Sequence, residues 1–308
     1  MSVSVIIPAH NAGSTIAATL ASLRSEADAI GEILVVDDSS SDDTAMVALK
    51  AALEITPNAR VLRASCRDAG GARNLALAEA SCPWIYLIDA DDLHLPGGLS
   101  AMLKKARAGA DLVVGGSLRR VDGEDRKVKF SSGLGRDAIS NAMMYLKGQV
   151  SSIAVGGALF SRRVMGGDRF PTGLAYDEDT LFWVRLISRA SMAFVDRPVM
   201  IYQVCTQRSD DRFLAKPARH FLAWRRELRR LSDCGIPSAA LKAREGIVAL
   251  KIARVHYAVG DLRNAARFLT VASAAPKSPS DAWRCMRYSL KLLARGRGAL
   301  GKMNLQGA

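Results

Sequence analysis

The chain has 308 residues, 49% hydrophobic and 24% charged, which fits a packed protein with room for one large domain and a smaller companion and excludes a disordered chain. Its five cysteines (Cys66, Cys82, Cys205, Cys234 and Cys285) are scattered and never spaced C-x-x-C, which argues against a disulfide framework or a zinc site and suits a reducing compartment. The net charge of +13 is segregated: residues 206–308 carry 21 Lys and Arg against 7 Asp and Glu, residues 1–205 carry 22 against 23, so the composition changes near 205–211 and puts a domain boundary there.

The opening M-S-V-S-V-I-I-P has neither a basic start nor a long apolar run, so no secretory signal is expected. No run of 18 apolar residues occurs, and no membrane-spanning helix is expected either. Taken in chain order, 3–8 is an apolar run suited to a buried parallel strand. A helical spacing follows over 14–23, through Ile16, Leu20 and Leu23. Residues 32–37 form a second strand and 42–53 its helix, with Asp42 or Asp43 placed to cap it. A short strand at 60–62, a helix over 71–80, a strand over 84–89, a helix over 96–108 with proline in its first turn, and a strand at 112–115 complete the alternation. Such strand–helix alternation predicts βαβ units and an open, mostly parallel α/β sheet flanked by helices. From 121 to 148 the pattern weakens into Gly, Ser and charge and reads as irregular, a mobile lid. Strands at 153–160 and 192–204 bracket a helix over 178–189. Beyond Asp210 everything reads as helix, and 249–276 as a plain helical hairpin.

Ligands of such sheets bind beyond the carboxyl ends of the strands, and this sequence places acids there repeatedly. Asp89 to Asp92, D-A-D-D, directly follows the apolar run 84–88. A turn this dense in carboxylates repels itself unless a cation sits with it, and a divalent metal bridged to phosphates is the usual partner of an oxygen-rich site. An Asx-type turn before the next helix is the competing explanation. The second cluster, V-V-D-D-S-S-S-D-D-T, ends the second strand. One of its acids can cap the next helix, but Asp37 and Asp38 lie well before it, where an acid can accept from a nucleobase N–H or a ribose hydroxyl. G-x-G-x-x-G is absent, so no NAD-type fingerprint is present.

The segments V-S-V-I-I-P-A-H-N, V-V-D-D-S-S-S-D-D-T, G-G-A-R-N-L-A-L and Y-L-I-D-A-D-D, in this order, resemble the nucleotide-binding half of the family 2 glycosyltransferases, which have the GT-A fold and invert. The resemblance covers residues 1–115, and continues through G-G-A-L-F-S-R-R and R-F-P-T-G-L-A-Y-D-E-D-T-L-F, which are similar to the family's acceptor side. It implies a GT-A catalytic domain over 1–205, with 1–115 its nucleotide-binding half and 116–205 its acceptor side, and leaves 206–308 as an all-helical basic region. It implies that Pro8 and His10 line the nucleoside pocket, His10 standing where an aromatic is frequent. Asp38, with Asp37 beside it, matches the acid that reads the base. Arg73 matches a basic residue near the nucleotide, a salt bridge being its structural alternative. Asp89 and Asp91 match the D-x-D pair, with Asp91 the metal ligand and Asp89 or Asp92 in support. The metal implied is Mn2+ or Mg2+. Glu178 and Asp179 match the segment that bears the base, Asp179 being the general base; the alternative for both is a first-turn charge that complements the helix dipole.

The expected reaction moves a sugar from a nucleoside-diphosphate sugar, a UDP-sugar, to a hydroxyl of a surface glycan or lipid-linked oligosaccharide of bacterial type. The stripe Phe221, Trp224, Leu228 and Leu231, flanked by Arg225, Arg226, Arg229 and Arg230, suits an interfacial helix on an anionic membrane, or else packs on the protein with its arginines solvated. The corresponding location is cytoplasmic, peripheral on the cytoplasmic membrane face. No nucleic-acid motif accompanies the positive charge, and no nucleic-acid partner is expected. Two rivals stand beside this reading. A nucleotidyltransferase would carry a basic phosphate loop early, and residues 9–15 hold no Lys or Arg. A non-catalytic sugar-nucleotide-binding assembly factor would bind without turnover.

Overall fold

The computed structural model describes residues 1–130, 135, 137–204, 211–275 and 278–304. The chain divides into two compact units, Met1–Arg208 and Ser209–Ala308.

The first unit is built on strands that are apolar on both faces. In Val3–Ala9 (β1), Val3, Val5, Ile6 and Ile7 are all buried, as a parallel strand covered by helices on either side requires. β1 pairs in parallel with Ile30–Asp38 (β2) and Trp84–Leu87 (β4), and β2 pairs in parallel with Ala59–Ala64 (β3). The helices between them are α1 (Ile16–Ala21), α2 (Thr44–Leu53) and α3 (Ala69–Glu79). Ile16 and Leu20 of α1 meet Val5 and Ile7 in one core with Leu99 and Met102 of the next helix, α4 (Gly98–Arg107). The register sets Ala9 opposite Asp37 and Asp38 opposite Ala64. The carboxyl ends of β1, β2 and β4 therefore open on one edge, the place where His10, Asp38 and Asp89 stand.

Beyond β4 the sheet becomes mixed. Its remaining strands are β5 (Leu93–His94), β6 (Leu112–Val121), β7 (Glu124–Lys129), β8 (Ala158–Ser161) and β9 (Met192–Val204). The order is β3-β2-β1-β4-β8-β6-β9-β5, with β7 on β6. β8 runs antiparallel to both β4 and β6, while β6 and β9 are parallel. The β6–β9 register shifts at Gly115 and Gly116, where a Cβ on Gly115 would sit 2.5 Å from Val199. Only glycine lets the strands approach that closely.

The stretch 121–148, expected to be irregular, holds a hairpin and a helix instead. Asp122 and Gly123 both have positive φ, 49° and 85°, the two-residue turn whose twist suits an antiparallel pair, and β6 and β7 continue on either side. Helix α5 (Ala138–Leu146) follows, its first turn capped by Asp137, which accepts from Ser140 N at 2.6 Å. The expected mobile lid is thus replaced by regular elements, apart from 131–134 and 136, which lie outside the described residues. The strand expected over 153–160 is confined to β8, because the Val155–Gly157 segment makes a 3-10 turn first. After β8 come α6 (Arg162–Met165) and α7 (Glu178–Ile187).

The second unit is helical: α8 (Asp211–Leu214), α9 (Pro217–Arg229), α10 (Ser238–Ala258), α11 (Leu262–Ala274) and α12 (Pro279–Asn304). α10 and α11 form the expected hairpin, turning at Gly260 with φ 84°. The α9 stripe does not face outward. Phe221, Trp224, Leu228 and Leu231 are 4%, 0%, 1% and 0% exposed, and Phe221 lies edge-on to Phe268 of α11 at 5.2 Å. Burying that apolar face inside the unit outweighs an outward orientation, so α9 is not an interfacial helix. Among the described residues no helix is long and apolar enough to cross a membrane.

Candidate active site

Five groups of side chains meet at the open edge of the parallel half: those at the end of β2, at the start of α3, Arg73 within α3, the first turn of α7 and the D-A-D-D turn. The first is the end of β2. The side chain of Asp37 is fully buried, pairs with Arg63 and accepts from Ser40 N at 3.2 Å. Asp38 is buried too, but one oxygen, Oδ2, accepts from Asp68 N at 3.0 Å while the other, Oδ1, has no partner among the described residues. A buried carboxylate oxygen left without a donor is costly. His10, exposed just past β1, donates from Nδ1 to the Asp38 carbonyl at 2.7 Å, with Asn11 Nδ2 3.3 Å from its Nε2. Its ring is thereby fixed beside Asp38. Pro8 is half-buried one turn of strand earlier.

The second group is at the start of α3. Asp68 caps the helix, accepting from Gly70 N and Gly71 N at 3.3 and 3.1 Å, and also takes Gly173 N at 3.2 Å. Gly70 admits a near approach of the later loop, since a Cβ there would lie 2.9 Å from the Pro171 carbonyl. Asn74 locks that loop through both amide atoms: Nδ2 donates to the Phe170 carbonyl at 2.9 Å and Oδ1 accepts from Phe170 N at 2.8 Å. Phe170 in turn stacks on Phe182 of α7, centroids 3.9 Å apart. Sequence reasoning did not find Asp68, Asn74 or Phe170 as organisers. Asp68 carried a signal, an acid directly before a glycine-rich helix start.

The third is Arg73, 4% exposed on α3. Its Nη2 donates to Asp89 Oδ1 at 2.7 Å and its Nη1 to Glu178 Oε1 at 3.5 Å, and the guanidinium lies 5.2 Å from the Phe170 ring centroid. Burial opposes its charge, and Asp89, followed by Glu178 and Asp179, more than offsets that. One cation thus gathers an acid from the D-A-D-D turn and an acid from the D-E-D segment.

The fourth group is on α7. Asp177, with φ 69°, begins it in the left-handed region, and Glu178 and Asp179 occupy its first turn. The inner face is held by Leu181, Phe182, Trp183, Leu186 and Ile187, all buried. Asp179 Oδ1 accepts from Thr180 N at 2.7 Å. Burial, strengthened by Asp179 and only partly offset by Arg73, pushes the Glu178 carboxyl up to about 7. Glu178 and Asp179 therefore occupy the dipole-favoured first turn, and Glu178 also reaches Arg73.

The D-A-D-D turn divides its acids. Asp89 is engaged by Arg73. Asp92, 1% exposed, accepts from Gln203 N of β9 at 2.9 Å and fastens the turn to that strand. Asp91 is half-buried between them. Among the described residues no three metal-ligating side chains converge. That donor set still fits a metal delivered with a nucleotide, because Mg2+-like ions are held by one or two carboxylates, substrate phosphates and waters.

An α/β domain of the GT-A type, with acids gathered where its parallel strands end, is the class of protein so defined. Within it the chain belongs to glycosyl transferase family 2, whose profile matches residues 4–166. Among curated relatives, succinoglycan biosynthesis protein ExoU of Rhizobium meliloti is 42% identical over 104 residues, 33% of this chain and 30% of the relative. The GalNAc(5)-diNAcBac-PP-undecaprenol beta-1,3-glucosyltransferase of Campylobacter jejuni is 28% identical over 67% of this chain and 66% of its own length. These matches span about a third to two thirds of the relatives. Residues 1–349 of S. aureus TarS share the fold, with TM-score 0.61 and 17% identity over 88% of this chain and 81% of that one.

Proposed function

We propose that this chain is an inverting glycosyltransferase that moves a sugar from a UDP-sugar to a hydroxyl of a lipid-linked or surface glycan, working at the cytoplasmic face of a membrane. The observation that carries the reading is the buried Arg73, which binds Asp89 and Glu178 at once and so brings a donor-side acid and an acceptor-side acid to one place. Relatives and neighbours support the substrate class. The Campylobacter relative is named for an undecaprenol-linked acceptor, TarS has been crystallised with UDP-GlcNAc, and glucosyl-3-phosphoglycerate synthase of Mycobacterium tuberculosis, with TM-score 0.53, was crystallised with Mn2+ and UDP.

In this reading Pro8 and His10 flank the base and Asp38 Oδ1 accepts its N–H. Asp91 would hold Mn2+ or Mg2+ together with the donor diphosphate, the metal supplying charge neutralisation for the leaving group. Asp89, oriented by Arg73, faces the sugar side of the same turn. The acceptor oxygen bonds to the anomeric carbon as the bond from that carbon to the diphosphate oxygen breaks. The diphosphate leaves with the electron pair, and Asp179 takes the hydroxyl proton. One displacement with one base and no covalent nucleophile inverts the anomeric centre. Glu178, kept near Arg73, positions the first turn of α7 so that Asp179 meets the acceptor.

A transfer assay with UDP-sugars and manganese tests this. Asp179→Asn is expected to lower turnover by about 10²–10⁴, the usual worth of a positioned base, with nucleotide affinity retained. Asp91→Ala is expected to lose both. Wild-type turnover in the Asp179→Asn variant would overturn the base assignment, and nucleotide binding without any turnover in the wild type would favour an assembly factor.

A further inference from the structure

The second unit covers the apolar stripe of α9 but leaves another one uncovered. On α12, Trp283, Met286, Leu290 and Leu293 are 54%, 54%, 60% and 63% exposed. At 3.6 residues per turn they fall within about 80° of arc on one face. The opposite face anchors the helix: Cys285 is buried, and Tyr288 lies edge-on to Tyr257 of α10 at 5.5 Å. α12 is therefore a seated helix with its apolar stripe turned outward. Large apolar side chains repeated at this spacing are not scattered surface residues; they form an unpartnered strip.

The charges beside the strip indicate what it meets. Arg284, Arg287 and Lys291 follow the same helical spacing along one flank. Arg287 lies over the Trp283 ring at 5.4 Å, at the margin of the strip, while Lys291 lies over the Tyr288 ring at 5.3 Å, further round the helix toward the seated face. Across residues 206–308, 21 basic side chains face only 7 acidic ones. A strip of tryptophan and leucine with a cationic margin matches the boundary between acyl chains and anionic headgroups. A protein partner or a second copy of this basic unit would have to meet the same excess of positive charge.

We propose that α12 docks the chain on an anionic lipid surface, with Trp283, Met286, Leu290 and Leu293 entering the headgroup–acyl boundary and Arg284, Arg287 and Lys291 meeting the lipid phosphates. The proposal rests on the membrane placement given above and is independent of the transfer chemistry. It also removes the need for a membrane role of α9.

The chain carries its own probe. Of its four tryptophans, Trp84, Trp183 and Trp224 are buried, and Trp283 is exposed. The experiment uses the full chain, without donor or acceptor, and vesicles of phosphatidylcholine with or without phosphatidylglycerol. Binding is read by flotation, and depth by quenching of tryptophan emission with lipids brominated on the acyl chain. The expected result is binding to the anionic vesicles, weak binding to the neutral ones, and quenching of the protein bound to the anionic ones. Trp283→Phe is expected to bind but lose the quenching. Leu290→Gln with Leu293→Gln is expected to weaken binding at least tenfold. Arg287→Gln with Lys291→Gln is also expected to weaken it, by about 25-fold, since each basic residue near such a surface contributes about fivefold. Circular dichroism and thermal melting confirm that each variant is folded. Vesicle binding unchanged in both double variants, or binding without quenching, overturns the role of α12 while leaving the membrane placement in force. No binding of the wild type to anionic vesicles overturns both, and the transfer assay still judges the enzymatic reading by itself. A wild-type dimer in solution that Leu290→Gln with Leu293→Gln dissolves would assign the strip to a second copy and overturn the lipid proposal.

Discussion

A guanidinium buried as deeply as Arg73 is tolerated only because carboxylates compensate it, and it has two, from segments 16 and 105 residues away in sequence. Arg73→Ala leaves Asp89 and Glu178 facing each other without their cation, so a loss of about 3–5 kcal/mol in unfolding free energy is expected, read from denaturant melts. Arg73→Lys, which has no planar fork, is expected to recover only part of it. Glu178 gives a second test at this scale. Its folded-state value of about 7 lies above the ordinary 4.5, so the folded state binds this proton more tightly than the unfolded one. Its contribution to stability is full below the ordinary value and lost as pH rises through 7. The melting temperature of Glu178→Gln minus that of the wild type should accordingly become more positive from pH 5 to pH 8; parallel profiles would contradict the assignment. The sequence showed the acids because each follows an apolar strand or opens an apolar helix. Local pattern alone does not separate Asp37 from Asp38, or Asp91 from Asp92, and only the family resemblance singles out Asp38 and Asp91; the pairing of Asp37 with Arg63 and of Asp92 with Gln203 exists only in the folded chain.

Among the elements, the loop at Phe170–Gly173 is consequential for its length: the sequence marks it as part of the segment similar to the family's acceptor side, but nothing local in it shows what clamps it. It is clamped by Asn74 and Asp68 on α3, and it delivers α7 with Glu178 and Asp179 to the edge of the sheet. Asn74→Ala removes two hydrogen bonds to the Phe170 backbone. The expected cost is about 1–3 kcal/mol of stability, with kcat lowered and nucleotide affinity retained; unchanged kcat would show that the clamp does not govern α7. The β6–β7 hairpin, by contrast, has a local signal: Asp-Gly between two strand-like runs is a strong two-residue turn motif, masked here by the charge of the flanking residues. The α9 stripe was legible as a stripe. Which surface covers a stripe is a question of tertiary packing that periodicity does not answer.

At the scale of the molecule, the parallel half of the sheet could be read because each strand is a continuous apolar run and each crossover a helix with a marked start. The antiparallel insertion of β8 between β4 and β6 could not, since no local signal encodes pairing between strands so far apart in sequence. Charge segregation was equally plain: a nearly neutral first unit holds the acids that gather around Arg73, and a strongly basic second unit carries the exposed strip of α12. The whole account depends on the acids at the sheet edge forming one nucleotide site with separable duties. Calorimetric titration of UDP in the presence of Mn2+ measures this most directly. Asp38→Ala and Asp91→Ala should each weaken binding by about tenfold or more, the worth of a buried hydrogen bond or a charged ligand contact, while Asp179→Asn should bind as the wild type does. Wild-type affinity in both Asp38→Ala and Asp91→Ala would contradict it.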